Sequence, residues 1–79
     1  MMTRERGINM MRYGERYECV VEKPGLPSMI EGEIYEVVAM EFDPFTVCLV
    51  KEGRSDTPDN WVFLDEDQCG HHIKGPIYR

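Results

Sequence analysis

The residues best suited to chemistry lie near the carboxyl end of the sequence, where Cys69 is followed closely by His71 and His72. A thiolate and an imidazole are both zinc ligands, and Cys19 or Cys48 could complete a tetrahedral site. However, the sequence contains no C-x-x-C pair, and a cysteine in an alternating strand commonly acts as a small buried hydrophobe. We therefore expect no metal and no cofactor, and zinc binding through Cys69 and His71 or His72 stays open as an alternative.

Catalysis by a cysteine–histidine pair or by paired carboxylates is also disfavoured. A catalytic cysteine needs a thiolate beside an oriented imidazole, and the neighbouring Asp and Glu charges oppose a thiolate. The carboxylates of residues 65–67 would have to face another carboxyl group across a groove to cleave a glycosidic bond. A chain of 79 residues leaves little room for a closed pocket of roughly 300 Å³ or more. We expect a protein that is not an enzyme.

Charge is unevenly distributed along the sequence. Nine Lys and Arg residues oppose fifteen Asp and Glu residues, which gives a net charge of −6. Residues 17–67 form an acidic body, and both ends of the chain are mildly basic. An acidic body repels phosphate, so we expect no direct binding of nucleic acid. It suits a basic protein partner, and the alternative function is an inhibitor that imitates nucleic acid on a DNA- or RNA-binding protein.

The sequence shows no feature that would direct the chain to a membrane or out of the cell. No stretch approaches the roughly 20 apolar residues of a membrane-spanning helix. Arg4, Glu5, Arg6 and Arg12 interrupt the N-terminal region where a signal peptide would be apolar. An odd number of cysteines cannot pair completely within the chain, which favours a reducing compartment. We therefore expect a cytoplasmic protein.

The elements that must position these residues are short strands. Alternating apolar residues predict strands over residues 15–23, 33–42, 45–51 and 61–64, with a fifth over 69–74. A long first loop contains Pro24, Gly25 and Pro27, and a tight turn contains Asp43 and Pro44. Asp65 is expected to cap a single helical turn before the last strand. Gly75 and Pro76 are expected to end that strand.

Five such strands describe an all-β fold, a small SH3-like barrel in which closure of the sheet encloses one core. We expect this domain to span residues 15–79 after a flexible N-terminal arm of residues 1–14. An OB-fold barrel is the alternative, but the polar loop 52–60 does not suit the helix that an OB-fold usually carries there. The predicted core comprises Tyr17, Cys19, Val21, Tyr35, Val37, Val47, Leu49 and Phe63.

Three segments in this order, RYECVVEKPGLPSMIEGEIYEVV, FTVCLVKEG and NWVFLDEDQC, resemble a group of short uncharacterised bacterial and bacteriophage proteins. The matching positions are Gly25, Leu26, Gly32, Tyr35, Glu36, Val37, Gly53 and Trp61. The resemblance covers roughly residues 16–69, and the chain departs from it in its long arm and in Cys69, where an aromatic residue is common. It implies an SH3-like fold and a bacterial or infected host cell, and it implies no reaction.

In SH3-like barrels the partner groove lies between the first loop, the second turn and the helical turn. Carried onto this sequence, the predicted groove residues are Leu26, Met29, Phe42, Asp43, Trp61, Asp65 and Glu66. Aromatic side chains ringed by acids suit a peptide that carries Lys or Arg. An equal alternative is that Trp61 and Phe42 cap the core. We expect an unidentified, basic protein partner, and weak self-association through the basic arm is a further hypothesis.

Overall fold

The structure is a computed structural model that describes residues 11–78 of the chain. Its strands are β1 (Arg16–Cys19), β2 (Ile34–Glu41), β3 (Thr46–Lys51), β4 (Val62–Asp65) and β5 (Ile73–Ile77), with a helix α1 (Glu66–His72) and a 3₁₀ turn (Pro58–Asn60). The strands form one antiparallel sheet in the order β4-β3-β2-β1-β5. The prediction of a mostly β fold of five short antiparallel strands is therefore confirmed.

The sheet is open in the described part of the chain, because β4 and β5 form its two edges and do not pair with each other. The closure expected of a barrel is thus not present as a continuous ladder. Helix α1 lies between these edge strands in the sequence and packs against both of them. Within residues 11–78, no helix is both long and apolar enough to cross a lipid bilayer.

The core lies on one side of the sheet, where every strand contributes buried apolar side chains. Six of the predicted core residues are buried there, which confirms those assignments: Tyr17, Cys19, Tyr35, Val37, Val47 and Leu49. The remaining core positions come from β4, α1, β5 and two flanking segments: Met11, Met29, Val62, Leu64, Cys69 and Ile73. Tyr35 satisfies its buried hydroxyl by accepting a hydrogen bond from the Ile30 backbone N–H at 2.9 Å.

The prediction that Val21 and Phe63 lie in the core is wrong. Val21 is 38% exposed because β1 ends at Cys19, where the Val20 backbone N–H donates to the carbonyl oxygen of His72 at 2.8 Å. Phe63 is 53% exposed because Val62 and Leu64, rather than Phe63, occupy the inward positions of β4. Side chains alternate between the two faces along a strand, so Phe63 cannot face the core when Val62 and Leu64 do.

The predicted fifth strand over 69–74 is also wrong at both ends. Asp65 accepts a hydrogen bond from the Gln68 backbone N–H, and the Gln68 side chain accepts one from the Asp65 N–H. This reciprocal capping extends the expected helical turn through His72. The last strand then begins at Ile73 and passes through Gly75 and Pro76, which were expected to end it. Pro76 is tolerated because β5 is an edge strand.

The predicted arm of residues 1–14 falls mostly outside the described residues, which begin at Met11. Met11 itself is only 6% exposed and belongs to the core. The backbone N–H of Gly14 donates to the carbonyl oxygen of Val37 at 2.8 Å. Residues 11–14 are therefore docked against the sheet.

Gly75 occupies a position that no other residue type fits. Its φ is 153°, and an added Cβ would lie 2.9 Å from Cδ2 of Tyr17 and 3.2 Å from the carbonyl oxygen of Arg16. We predict that Gly75→Ala lowers the free energy of unfolding by roughly 1–3 kcal/mol more than Gly53→Ala. Gly53 is the matched control, since it has a positive φ of 98° but no atom near the added Cβ. Urea unfolding of both variants measures the difference, and equal losses would contradict the close packing at Gly75.

Candidate protein-binding surface

The first loop, residues 20–33, presents only part of what was predicted for it. Leu26 is fully exposed near the loop's tip. Met29 is buried at 1% exposure, because it pairs with Lys23 through two backbone hydrogen bonds of 2.8 and 3.0 Å that fold its side chain into the core. Met29 is therefore not accessible to a partner on the surface, which corrects its placement in the groove.

Four predicted groove residues come together at one end of the sheet. Phe42 and Asp43 form the β2–β3 turn, where Phe42 is 63% exposed and contacts Phe45 with ring centroids 5.6 Å apart. Asp43 adopts a left-handed φ of 71°, which Asp tolerates better than most residues. Glu41 pairs with Thr46, which in turn pairs with Asp65. The register thus sets the turn beside Asp65 and Glu66.

The strand register does not place Leu26 or Trp61 beside those four residues. The first loop enters β2 at Ile34, and the turn leaves β2 after Glu41. The eight residues of β2 span about 23 Å when extended, at roughly 3.3 Å for each step. Trp61 precedes β4, at the opposite end of that strand from Asp65. The predicted groove is therefore distributed over separate parts of the sheet.

A second apolar surface lies on the side of the sheet opposite the core. There Phe63 contacts Trp61, with ring centroids 6.2 Å apart and planes tilted by 57°. Cys48 is the cross-strand partner of Phe63 in β3. Cys48 and Val50 are each 4% exposed, although neither belongs to the main core. We call Trp61, Phe63, Cys48 and Val50 the outer aromatic face.

The position of Trp61 is fixed by a hydrogen bond as well as by its contact with Phe63. Its indole Nε1–H donates to Oδ1 of Asp56 at 2.7 Å. The 3₁₀ turn immediately before it is stabilised by the Trp61 backbone N–H, which donates to the carbonyl oxygen of Pro58. The bond from the indole Nε1–H to Asp56 gives the Trp61 ring a defined orientation. Trp61 is also less exposed than Phe63.

Carboxylates surround the outer aromatic face. Asp56 lies at the Trp61 end, and Asp65 follows Phe63 on the same side of β4. Glu36 and Glu41 lie on the same side of β2, opposite Val50 and Thr46 of β3. The basic residues near this side include Arg16 of β1, which pairs with Glu36 in register and has its Nε 3.5 Å from Oε2 of Glu52. Lys51 and Arg54 line a cavity with Glu36, Val50 and Asp56. Acids therefore lie at both ends of the aromatic pair, and the basic residues lie towards the Asp56 end.

The sequence did not identify this face because the segment Trp61–Leu64 is apolar at every position. Its alternation therefore has two equally acceptable phases, and the phase that buries Phe63 was chosen. A usable signal was present in β3, whose consecutive apolar residues Val47 to Val50 predict a strand buried on both sides. Such a strand requires side chains from a neighbouring strand to cover its outer side.

The cysteines and histidines do not form a metal site in the described structure. Among residues 11–78, no three His, Cys, Asp or Glu side chains converge so as to hold a metal ion. Cys69 is buried in the core, whereas His71 is exposed. The Nδ1 of His72 lies 2.8 Å from the carbonyl oxygen of Val21, so it donates a hydrogen bond there. The zinc hypothesis therefore has no geometric support in this region.

All three thiols are free, buried and poorly ionised. Burial, with a smaller contribution from the nearby charges of Asp65 and Glu66, raises the pKa of Cys69 to about 12. Burial is also the main cause of the raised pKa values of Cys48 and Cys19. A thiol is nucleophilic only as the thiolate, so this environment opposes catalysis by cysteine.

We predict that Cys69 reacts very slowly with iodoacetamide in the folded protein. In the unfolded chain the Cys69 thiol has an ordinary pKa near 9.0. As the pH rises from about 9 towards 12, the unfolded chain therefore loses this proton before the folded protein does. The free energy of unfolding should therefore decrease over that interval, because the folded state keeps the proton. Mass spectrometry of the modified protein, with and without urea, measures the reactivity. Rapid native labelling of Cys69 near neutral pH would contradict its burial.

Comparison with known proteins adds no family to this picture. No protein-family model matches the sequence, and no curated protein or solved structure is significantly similar to it. The resemblance to short bacterial and bacteriophage proteins accordingly stays a hypothesis. The outer aromatic face must be interpreted from its own geometry.

Proposed function

We propose that this chain is a non-enzymatic protein-interaction module with an SH3-like arrangement of strands. The strand order β4-β3-β2-β1-β5, the long first loop and the helix before the last strand support that topology. Three free cysteines support a reducing environment, so the proposal places the module in the cytoplasm of a bacterium or an infected cell. The module binds its partner through the outer aromatic face.

The observation that carries the proposal is the exposure of Phe63 on an ordered strand. Phe63 is 53% exposed and lies beside the oriented ring of Trp61. Cys48, the cross-strand partner of Phe63, and Val50 are both buried on the same side of β3, so the patch beside Phe63 is already partly desolvated. Clustered aromatic residues on a rigid surface dominate the energetics of many protein interfaces. Phe63 therefore supplies a natural contact point for a partner.

The acidic surroundings favour a basic partner. Asp56 and Asp65 flank the two rings, and Glu36 and Glu41 extend the same charge across β2. Complementary charge increases the rate of association and excludes partners of the wrong sign. Lys or Arg side chains near an apolar anchor would therefore bind this face best. Phe42 and Asp43 extend the acidic and aromatic surface beyond Asp65.

A random peptide library displayed against the immobilised protein tests this proposal. We expect the selected peptides to combine an apolar residue with Lys or Arg and to lose at least about tenfold in affinity for Phe63→Ser. Leu26→Ser is the matched control, since Leu26 is equally apolar and fully exposed but lies outside the outer aromatic face. Its affinity should match that of the parent protein.

Other results would overturn the proposal in distinct ways. Peptides that depend on Leu26 and ignore Phe63 would restore the first loop as the binding surface. Uniformly basic peptides that survive Phe63→Ser and dissociate steeply with added salt would favour the nucleic-acid mimic. A library without binders would remove the peptide-binding function altogether.

A further inference from the structure

The two edges of the open sheet differ in how well they are protected against another strand. β5 contains Pro76 and Lys74, and its pairing with β1 is interrupted by a register shift. Proline, lysine and irregular pairing are the usual devices that prevent strand addition at an edge. β4 has none of them, because its sequence is VFLD and its register with β3 is continuous. The β4 edge is therefore the one suited to another strand.

Hydrogen bonds at both ends of β4 show which way its main chain points. The backbone N–H of Asp65 donates to Oε1 of Gln68 at 3.0 Å, and that of Trp61 donates to the carbonyl oxygen of Pro58 at 3.2 Å. Neither N–H is directed at β3. Main-chain groups two residues apart point to the same side of a strand in an antiparallel ladder. The N–H and C=O of Phe63, midway between them, are therefore directed away from β3.

The alternate residues of β4 form the ladder with β3. Val62 pairs with Leu49, and Leu64 pairs with Val47. The free edge thus presents one residue, Phe63, with both of its main-chain groups outward. The Asp65–Gln68 capping box bounds this position on one side, and the 3₁₀ turn bounds it on the other. A short extended segment fits such an edge better than a long strand does.

We propose that β4 accepts one extended segment of a basic partner protein as an added antiparallel strand. The central residue of that segment exchanges both main-chain hydrogen bonds with Phe63 and places an apolar side chain on the Phe63 ring. This inference rests on the proposed function, because it assigns the mode of binding and the partner's sequence pattern at the same surface. An antiparallel segment continues the pairing of the whole sheet.

Charge complementarity defines the rest of the segment. Side chains two positions from the central residue lie on the same face of the added strand, opposite Trp61 and Asp65. The carboxylate of Asp56 lies against the Trp61 indole at 2.7 Å, so both flanking positions meet an acid. The segment therefore has the pattern basic–x–apolar–x–basic. A second copy of this chain is disfavoured, since it would bring its own Asp56 and Asp65 to the same edge.

The pentapeptide acetyl-Lys-Thr-Ile-Thr-Lys-amide tests the inference with the full chain. In the free protein, we expect the Phe63 amide hydrogen to exchange with solvent faster than that of Leu64. Saturating peptide should slow the Phe63 exchange at least about tenfold and shift the NMR signals of Phe63 and the Trp61 indole. N-methylation of the central Ile should weaken binding at least about tenfold, because it removes one donor of the pair.

Matched peptides separate main-chain pairing from side-chain contact. N-methylation of either Thr should leave the affinity unchanged, since those N–H groups point away from β4. Replacing both Lys residues with Glu should weaken binding at least about tenfold, and an unchanged affinity would overturn the assignment of a basic partner.

Three outcomes would overturn strand addition, and each is distinguishable from failure of the proposed function. A Phe63 amide as protected as Leu64 in the free protein would show that the edge is not open. A pentapeptide that binds equally well after Ile N-methylation would show contact by side chains alone. A pentapeptide that causes no change would overturn the proposed addition of a basic–x–apolar–x–basic strand at β4, whereas the random library decides independently whether the outer aromatic face binds peptides.

Discussion

The reciprocal hydrogen bonds between Asp65 and Gln68 determine much of this architecture. They end β4 and begin α1 within one residue, at 2.8 and 3.0 Å. Helix α1 then carries the chain from one edge of the sheet towards the other and buries Cys69 on its way. As a result Ile73 reaches Cys19, and β5 forms beside β1. Without this cap the last strand would have no defined starting point.

The same cap links the fold to the outer surface. The Asp65 N–H donates to Gln68, so it cannot donate to β3. This fixes which residues of β4 direct their main-chain groups to β3 and, with them, which side chains face the core. The inward positions fall to Val62 and Leu64, and the outward positions fall to Phe63 and Asp65. One local interaction therefore defines the end of a strand, the exposure of an aromatic ring and the direction of its main chain. The acidic and aromatic character of the surface is a consequence of the fold.

The sequence predicted those elements in which only one side of a strand is apolar or in which turn residues mark the ends. Tyr17 and Cys19 alternate with charged residues, so their burial was evident from the pattern. The segment from Trp61 to Leu64 is apolar on both sides, so its orientation depends on tertiary packing. Met29 lies in a loop rich in turn residues, and its burial depends on a backbone bridge to Lys23 that no local pattern predicts. Strand order and register determine the orientation of residues 61–64 and the burial of Met29, and a local sequence pattern predicts neither strand order nor register.

The extension of helix α1 over residues 69–72 could have been predicted. Asp65 and Gln68 have the spacing of a capping box, but Gly70 and the two histidines are weak helix formers. The candidate surface was harder to predict, because Phe63 is a binding residue only if it lies on an edge strand and faces outward. Leu26 lies in a loop and Phe42 in a turn, and both are exposed, but the sequence left open whether Phe42 belongs to the surface or caps the core. Surfaces built on strands require the sheet to be known first.

The contacts of His72 have a consequence for the path of the first loop. Nδ1 of His72 donates to the carbonyl oxygen of Val21 at 2.8 Å, and the carbonyl oxygen of His72 accepts from the backbone N–H of Val20 at 2.8 Å. One residue at the end of α1 therefore holds two consecutive residues at the start of the loop, with its side chain and with its main chain. The beginning of the loop cannot move away from the sheet without displacing the end of the helix.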